Sequence, residues 1–310
     1  MHKLLGRLKI PALAAPMFLV SGPELVIAAC RGGILGTFPA LNQRTPGGFE
    51  DWLKQIRAAL TSDDAPFGAN LAVHATSPRA GADLAAIVRY QVPVVVTTLG
   101  LTREVADAVH SYGGLVLHDA ITVRHAQKAV AVGADGVIAV CAGAGGHAGT
   151  YNPFAFAAEL LPYLEGKLLI LSGGISTGAA IAGAIAAGAD MAALGTRFIA
   201  THESLAQDEY KRMICESAAK DIVYTDVISG LPASFLRARL EAFGVDRTTK
   251  ERPAFSVEGE IEPKLWRDFW SAGQSAGGIN DIIGVTELCA RLAKEYHAAA
   301  SRLAIRAARG

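Results

Sequence analysis

The chain has 310 residues, enough for one large α/β domain or two ordinary ones, and 51% of them are hydrophobic against 19% charged, which excludes a disordered chain. Lys plus Arg number 29 and Asp plus Glu number 29, so no net positive field draws nucleic acid or an anionic membrane surface. The four cysteines, Cys30, Cys141, Cys215 and Cys289, stand far apart, without zinc-ligand pairs or the density of a disulfide scaffold, which points to a reducing cytoplasm.

From the N-terminus, Lys3, Arg7 and Lys9 precede the apolar stretch Ile10–Val20, and Ile27-Ala28-Ala29-Cys30 resembles a lipoprotein cleavage box. Pro11, Pro16, Gly22, Pro23 and Glu24 break that stretch up, which favours a strand followed by a helix over an export signal. Short apolar runs then alternate with amphipathic ones. The runs predict strands over Ala12–Met17, Ile34–Pro39, Phe67–Val73, Val94–Thr98, Leu115–His118, Gly136–Val140, Leu168–Ser172 and Met191–Leu194. Between them lie predicted helices over Asp51–Leu60, Gly81–Tyr90, Arg103–Ser111, Val123–Val132 and Thr177–Ala187, several opened by Ser, Thr or Asp and closed by Gly.

Gly133-Ala134-Asp135 and Gly188-Ala189-Asp190 repeat one device, a helix-ending glycine followed by an Ala-Asp lead into the next strand. The uncharged stretch Leu168–Ala189 is long enough to span a bilayer but is dominated by Ala and Gly and broken at Gly173-Gly174, so it reads as a strand plus a close-packed helix. Eight βα units without a G-x-G-x-x-G after the first strand predict a (β/α)₈ TIM barrel rather than a doubly wound sheet. After Phe198 the alternation fails, and residues 201–255 are expected to form a helical insertion or lid that does not fold independently. Residues 1–200 and 256–310 would make the barrel, with a final helix over Val285–Tyr296 packing back on it.

Reactive groups in such a barrel gather at the carboxyl ends of its strands. The seventh strand ends in Ser172-Gly173-Gly174-Ile175 and the eighth in Leu194-Gly195-Thr196-Arg197, so two loops offer N–H groups unobstructed by Cβ atoms, as a phosphate cradle requires. Thr196 adds a hydroxyl donor, and Arg197 is expected to face outward. The sixth strand runs into Cys141-Ala142-Gly143-Ala144-Gly145-Gly146-His147, a loop of small residues carrying one titratable side chain. A histidine there suits proton transfer near neutral pH, and glycines such as Gly146 let a planar ring approach the backbone. His118, followed by Asp119, and His74 also follow strands and compete with His147 for a catalytic role. No H-x-H or H-E-x-x-H pair argues for a metal, and Cys141 reads as a packed thiol.

Several of these segments resemble one family: Ala14-Ala15-Pro16-Met17, Gly68-Ala69-Asn70-Leu71, Ala144-Gly145-Gly146-His147, Leu171-Ser172-Gly173-Gly174-Ile175 and Leu194-Gly195-Thr196-Arg197-Phe198, continued by Gly230-Leu231-Pro232-Ala233 and Ser271-Ala272-Gly273-Gln274. Taken in this order they are similar to the nitronate monooxygenases, formerly 2-nitropropane dioxygenases. The resemblance implies FMN, its phosphate held by Gly173, Gly174, Gly195 and Thr196 and its ring near Pro16, Met17, Asn70 and Gln274, with His147 facing flavin and substrate. It implies oxidation of alkyl nitronates by molecular oxygen to carbonyl compounds and nitrite, His147 acting as base or holding the anion. Related barrels reduce quinones or enoyl thioesters with NAD(P)H, and a phosphate cradle alone also fits a flavin-storage module or a barrel acting on sugar phosphates. The partners are then a small-molecule substrate and oxygen, with room for a homodimer.

Overall fold

In the computed structural model, which describes residues 4–164, 166–255 and 263–307, eight strands close into a parallel barrel surrounded by helices. The strands are β1 (Ala12–Ala14), β2 (Leu35–Pro39), β3 (Phe67–Ala72), β4 (Val94–Thr98), β5 (Leu115–Ala120), β6 (Gly136–Val140), β8 (Leu168–Ser172) and β9 (Met191–Leu194), and β1 pairs with β9 to close the circle. The pair β7 (Gly146–His147) lies outside the barrel. β1 is shorter than its apolar run because Pro16 has no N–H to give a ladder and the Met17 N–H goes to the Ser21 hydroxyl, 3.0 Å away.

The surrounding helices are α1 (Pro23–Gly32), α2 (Pro46–Ala59), α3 (Ala80–Arg89), α4 (Arg103–His110), α5 (Val123–Ala131), α6 (Pro153–Leu164) and α7 (Gly178–Ala186). Thr102, Thr122 and Thr177 cap three of them, each accepting a hydrogen bond from the N–H three residues on. The Gly-Ala-Asp device acquires a physical meaning. Gly133 and Gly188 take positive φ (114° and 98°) to turn the chain, and the Asp135 and Asp190 carboxylates accept the N–H of Val116 and Leu169 on the neighbouring strands.

Alternation along the strands divides the apolar residues. Leu13, Leu35, Val94, Val96, Leu117, Ile138, Leu168, Ile170 and Met191 fill the barrel, while their neighbours face the helices. The interior is therefore a packed core, and the reactive end is its carboxyl rim.

Beyond β9 come α8 (Thr196–Ile199), α9 (Asp208–Glu216), β10 (Ile222–Thr225), β11 (Ala233–Leu236), α10 (Arg237–Ala242), α11 (Pro263–Asp268) and α12 (Val285–Ala307). The insertion is thus not purely helical. β10 and β11 form an antiparallel hairpin, and β11 continues the sheet onto β7. Ile222-Val223-Tyr224-Thr225 has the β-branched and aromatic character of a strand, yet a four-residue run declares itself only through its partner. Part of the expected C-terminal barrel segment, residues 256–262, falls outside the described residues. α12 extends past the expected Tyr296 and packs on α1 and α7, where Gly178 lets it approach and donates its N–H to the Glu295 carboxylate, 2.7 Å away. Among the described residues no helix is long and apolar enough to cross a membrane.

Candidate active site

A cavity of about 480 Å³ opens at the carboxyl end of the barrel. Its lining includes His147, Pro16, Met17, Asn70, Gly146, Gly173, Gly174, Gly195 and Thr196, residues drawn from five separate stretches of chain. Gln274 is the exception among the residues that the sequence nominates. Its N–H donates to the Gly143 carbonyl (2.9 Å) and its side chain lies against Gly143, while its neighbour Ser275 reaches the lining.

The glycine-rich walls follow from backbone geometry. Gly173 (φ +123°) has no space for a Cβ, which would sit 2.8 Å from the Ala142 carbonyl oxygen. Gly195 is different: a Cβ there would meet nothing closer than the Met17 sulfur at 3.7 Å, so its smallness leaves open space at the cavity wall. Gly195 and Thr196 open α8, whose first N–H groups have no acceptor within the helix. Thr196 Oγ1 accepts the Gly273 N–H (2.9 Å), which leaves the hydroxyl proton to donate elsewhere. Asn70 Nδ2 donates to the Val96 carbonyl (3.1 Å), setting the amide in the wall. Together these residues suit a flavin mononucleotide: open backbone and a hydroxyl for a phosphate, small residues and an amide for a flat ring.

His147 belongs to β7, opposite Ala233 in the ladder with β11. Its ring stands edge-on to Trp266 and Phe255, with centroids 5.3 and 5.8 Å away, and Nε2 lies 3.2 Å from Ser229 Oγ. Burial among these apolar rings pushes the imidazole down to about 4, so the ring is neutral at pH 7.

The competing histidines part company here. His118 points out of the barrel into a buried contact with Thr97 (Nδ1 to Oγ1, 2.8 Å), and His74 bonds Thr76; neither lines the cavity. Asp119 does. Strand alternation sends it inward at the rim beside Thr98, and burial pushes its carboxyl up to about 7. Cys141 is buried, its thiol pushed up to about 12 by desolvation, as a packed cysteine should be.

Arg197 does not face outward. It is 3% exposed and forms an ion pair with Asp281 at 3.1 Å, tying the end of the barrel to the segment before α12. Sequence reading also missed the walls contributed from afar, Phe255, Trp266, Tyr210 and Trp270, and two leucines, Leu19 (φ 59°) and Leu99 (φ 66°), held in left-handed backbone at the cavity. Non-glycine residues in that region cost energy and cluster at functional sites, but no local sequence signal marks a leucine for it. Among the described residues no group of three His, Cys, Asp or Glu is placed to hold a metal ion.

Known proteins resemble this chain in sequence and fold. The family profile for nitronate monooxygenase matches residues 2–295. A nitronate monooxygenase from Paraburkholderia phytofirmans is 28% identical over 292 residues, covering 80% of this chain and 79% of that protein. The (3aS,4S,5R,7aS)-5-hydroxy-7a-methyl-1-oxo-octahydro-1H-indene-4-carboxyl-CoA dehydrogenase of Mycobacterium tuberculosis is 28% identical over 236 residues, 74% of this chain but only 64% of the relative. Among solved structures, the nitroalkane oxidase from Streptomyces ansochromogenes superposes with a TM-score of 0.85 at 28% identity over 97% of this chain and 99% of that one. FabK from Thermotoga maritima gives 0.82 at 26% identity over 96% of each. With the profile matched across nearly its whole length, the chain belongs to the nitronate monooxygenase family and is an oxidoreductase.

Proposed function

We propose that the cavity binds FMN and that the enzyme oxidises alkyl nitronates with molecular oxygen to carbonyl compounds and nitrite. The observation that carries this reading is the convergence of His147 with Pro16, Met17, Asn70, Gly146, Gly173, Gly174, Gly195 and Thr196 on one cavity. FMN, when bound, supplies the electron acceptance that the side chains of the site lack. Gly173, Gly174, Gly195 and Thr196 hold the phosphate, and Pro16, Met17, Asn70 and Gly146 position the ring.

His147 handles the proton. A neutral imidazole carries one lone pair, so it takes a proton from the carbon of a neutral nitroalkane or, through its N–H, holds the anionic nitronate. Trp266 and Phe255 exclude water on its flanks and keep the ring from charging.

A second reading, NAD(P)H-driven reduction of a quinone or enoyl thioester, draws support from the aromatic walls of a cavity roomy for a small nitronate and from the relative named as an indene-carboxyl-CoA dehydrogenase. One experiment separates them. The purified protein is examined for a flavin spectrum and mixed without oxygen with propyl-2-nitronate, NADH and NADPH in turn. Reduction by the nitronate alone, followed by nitrite release when oxygen is admitted, supports the first reading; bleaching by a nicotinamide with no response to nitronate overturns it.

A further inference from the structure

The turn between β1 and α1 gives the cavity Pro16, Met17, Phe18, Leu19 and Val20, and its backbone is held in a costly shape. Leu19 takes φ 59°, a left-handed conformation in which the β-carbon of an L-residue crowds its own backbone. A leucine has neither the freedom of glycine nor the local hydrogen bonds of asparagine there, so contacts from outside the turn must offset the cost.

Asn42, at the end of the short helical turn after β2, supplies them. Its Oδ1 accepts the Leu19 N–H at 2.8 Å, and its Nδ2 donates to the Met17 carbonyl at 3.1 Å and the Ser21 carbonyl at 2.8 Å. The pattern fixes which end of the amide is nitrogen, since carbonyls only accept and a backbone N–H only donates. Ser21, fully buried, closes the turn from within: its Oγ accepts the Met17 N–H at 3.0 Å, and its own N–H donates to the Met17 carbonyl at 3.0 Å. Asn42 itself does not line the cavity; it stands behind the wall and acts through it.

We propose that Asn42 is a positioning residue that clamps the β1–α1 turn and keeps Leu19 left-handed, so that the wall bearing Pro16 and Met17 is set before a ligand arrives. Without the clamp, the Leu19 N–H and two carbonyls each lose a partner, and Leu19 relaxes to an ordinary backbone region that carries its side chain elsewhere. That this wall meets the FMN ring rests on the reading given above; the clamp does not.

The test is hydrogen exchange of backbone amides in the flavin-free protein, followed by titration with FMN. In wild type the Leu19 amide is expected to be protected. Asn42→Ala should speed its exchange about 100-fold while the amides of β4 and β5 keep their protection. The same variant should weaken FMN binding about tenfold, because the wall is no longer preformed. Asn42→Asp, which keeps an acceptor for the Leu19 N–H but has no donor for the carbonyls, should fall between the two. A Leu19→Gly background separates positioning from mere support. Glycine adopts this backbone without strain, so there Asn42→Ala should weaken FMN binding less than about threefold. An equal loss in both backgrounds, or a Leu19 amide whose exchange ignores both Asn42 variants, overturns the proposal. Should Asn42→Ala not fold, Asn42→Asp is carried through the same two backgrounds under the same criteria. Absence of FMN binding in wild type removes the cofactor reading alone, and the exchange comparison then decides the clamp.

Discussion

His147 stands opposite Ala233 in an antiparallel ladder, so the histidine offered to the cavity is a strand residue braced by the insertion rather than the tip of a free loop. A braced side chain keeps its geometry, and this makes its removal informative. His147→Gln preserves size and polarity but has no titratable lone pair. We expect kcat for nitroalkane or nitronate oxidation to drop about 10²- to 10⁴-fold with Tm within a few degrees of wild type. Nitrite release at the wild-type rate would remove His147 from the mechanism.

Two glycines of the cradle are expected to respond differently to the same methyl group. At Gly195 a Cβ has room within the protein, with its nearest neighbour 3.7 Å away, so Gly195→Ala should leave the flavin-free Tm nearly unchanged. Its methyl would fill space assigned to the cofactor, and FMN affinity, read by flavin fluorescence quenching, should weaken about tenfold or more. Gly173→Ala should instead destabilise the flavin-free protein by about 1–3 kcal/mol, because φ +123° and the Ala142 carbonyl both resist the substitution. Unchanged FMN binding in Gly195→Ala would move the phosphate elsewhere.

Asp119 makes stability depend on pH with a defined sign. Its folded carboxyl, pushed up to about 7, holds a proton more tightly than the unfolded chain, whose carboxyl titrates near 3.8. The stability it contributes is complete below about pH 4 and is lost as pH climbs through 7. His147 and His118, both held near 4 against 6.5 when unfolded, act oppositely and cost stability as pH falls from 6.5 to 4. Asp119→Asn isolates the first effect. The Tm of this variant minus that of wild type, both flavin-free, should rise between pH 5 and pH 8, by the equivalent of about 1–3 kcal/mol. A difference that stays flat with pH would show that Asp119 titrates as an ordinary carboxyl.

Arg197 offers a test away from the chemistry. Its guanidinium pairs with Asp281 and donates to the Ala200 and Asp281 carbonyls, while Asp281 also pairs with Arg291 on α12 at 2.7 Å. Arg197→Met keeps most of the volume and strands those acceptors. Breaking a buried pair costs about 3–5 kcal/mol, and the half-exposed Asp281, still held by Arg291, brings the expected loss to about 2–4 kcal/mol in urea unfolding. Stability equal to wild type would mean that the pair contributes nothing.

The barrel was legible because its signals are local. β4, β6, β8 and β9 coincide with apolar runs bounded by turn residues, and Gly133-Ala134-Asp135 and Gly188-Ala189-Asp190 announce their helix-to-strand turns within three residues. The meeting of the glycine loops at one cavity was legible for a related reason: in a barrel, the residues following each strand must lie at one rim. His118 and Asp119 show the limit. They are adjacent at the end of β5, and strand alternation sends one out and the other into the cavity. The inward series Leu115, Leu117, Asp119 marks the carboxylate once the face of β5 that fills the barrel is known.

What the sequence determined by itself is the order and period of the βα units, the glycine turns at the strand ends and hence the rim on which His147 and the glycine loops lie, since each depends on residues a few positions apart. Only the tertiary structure decided that Arg197 is buried, that the insertion supplies a hairpin, and that Ser229, 82 residues from His147, meets its ring. Those contacts join distant parts of the chain, and nothing in the local pattern around either partner encodes the other; they are fixed when the closed barrel brings its loops together and burial favours polar groups that find partners.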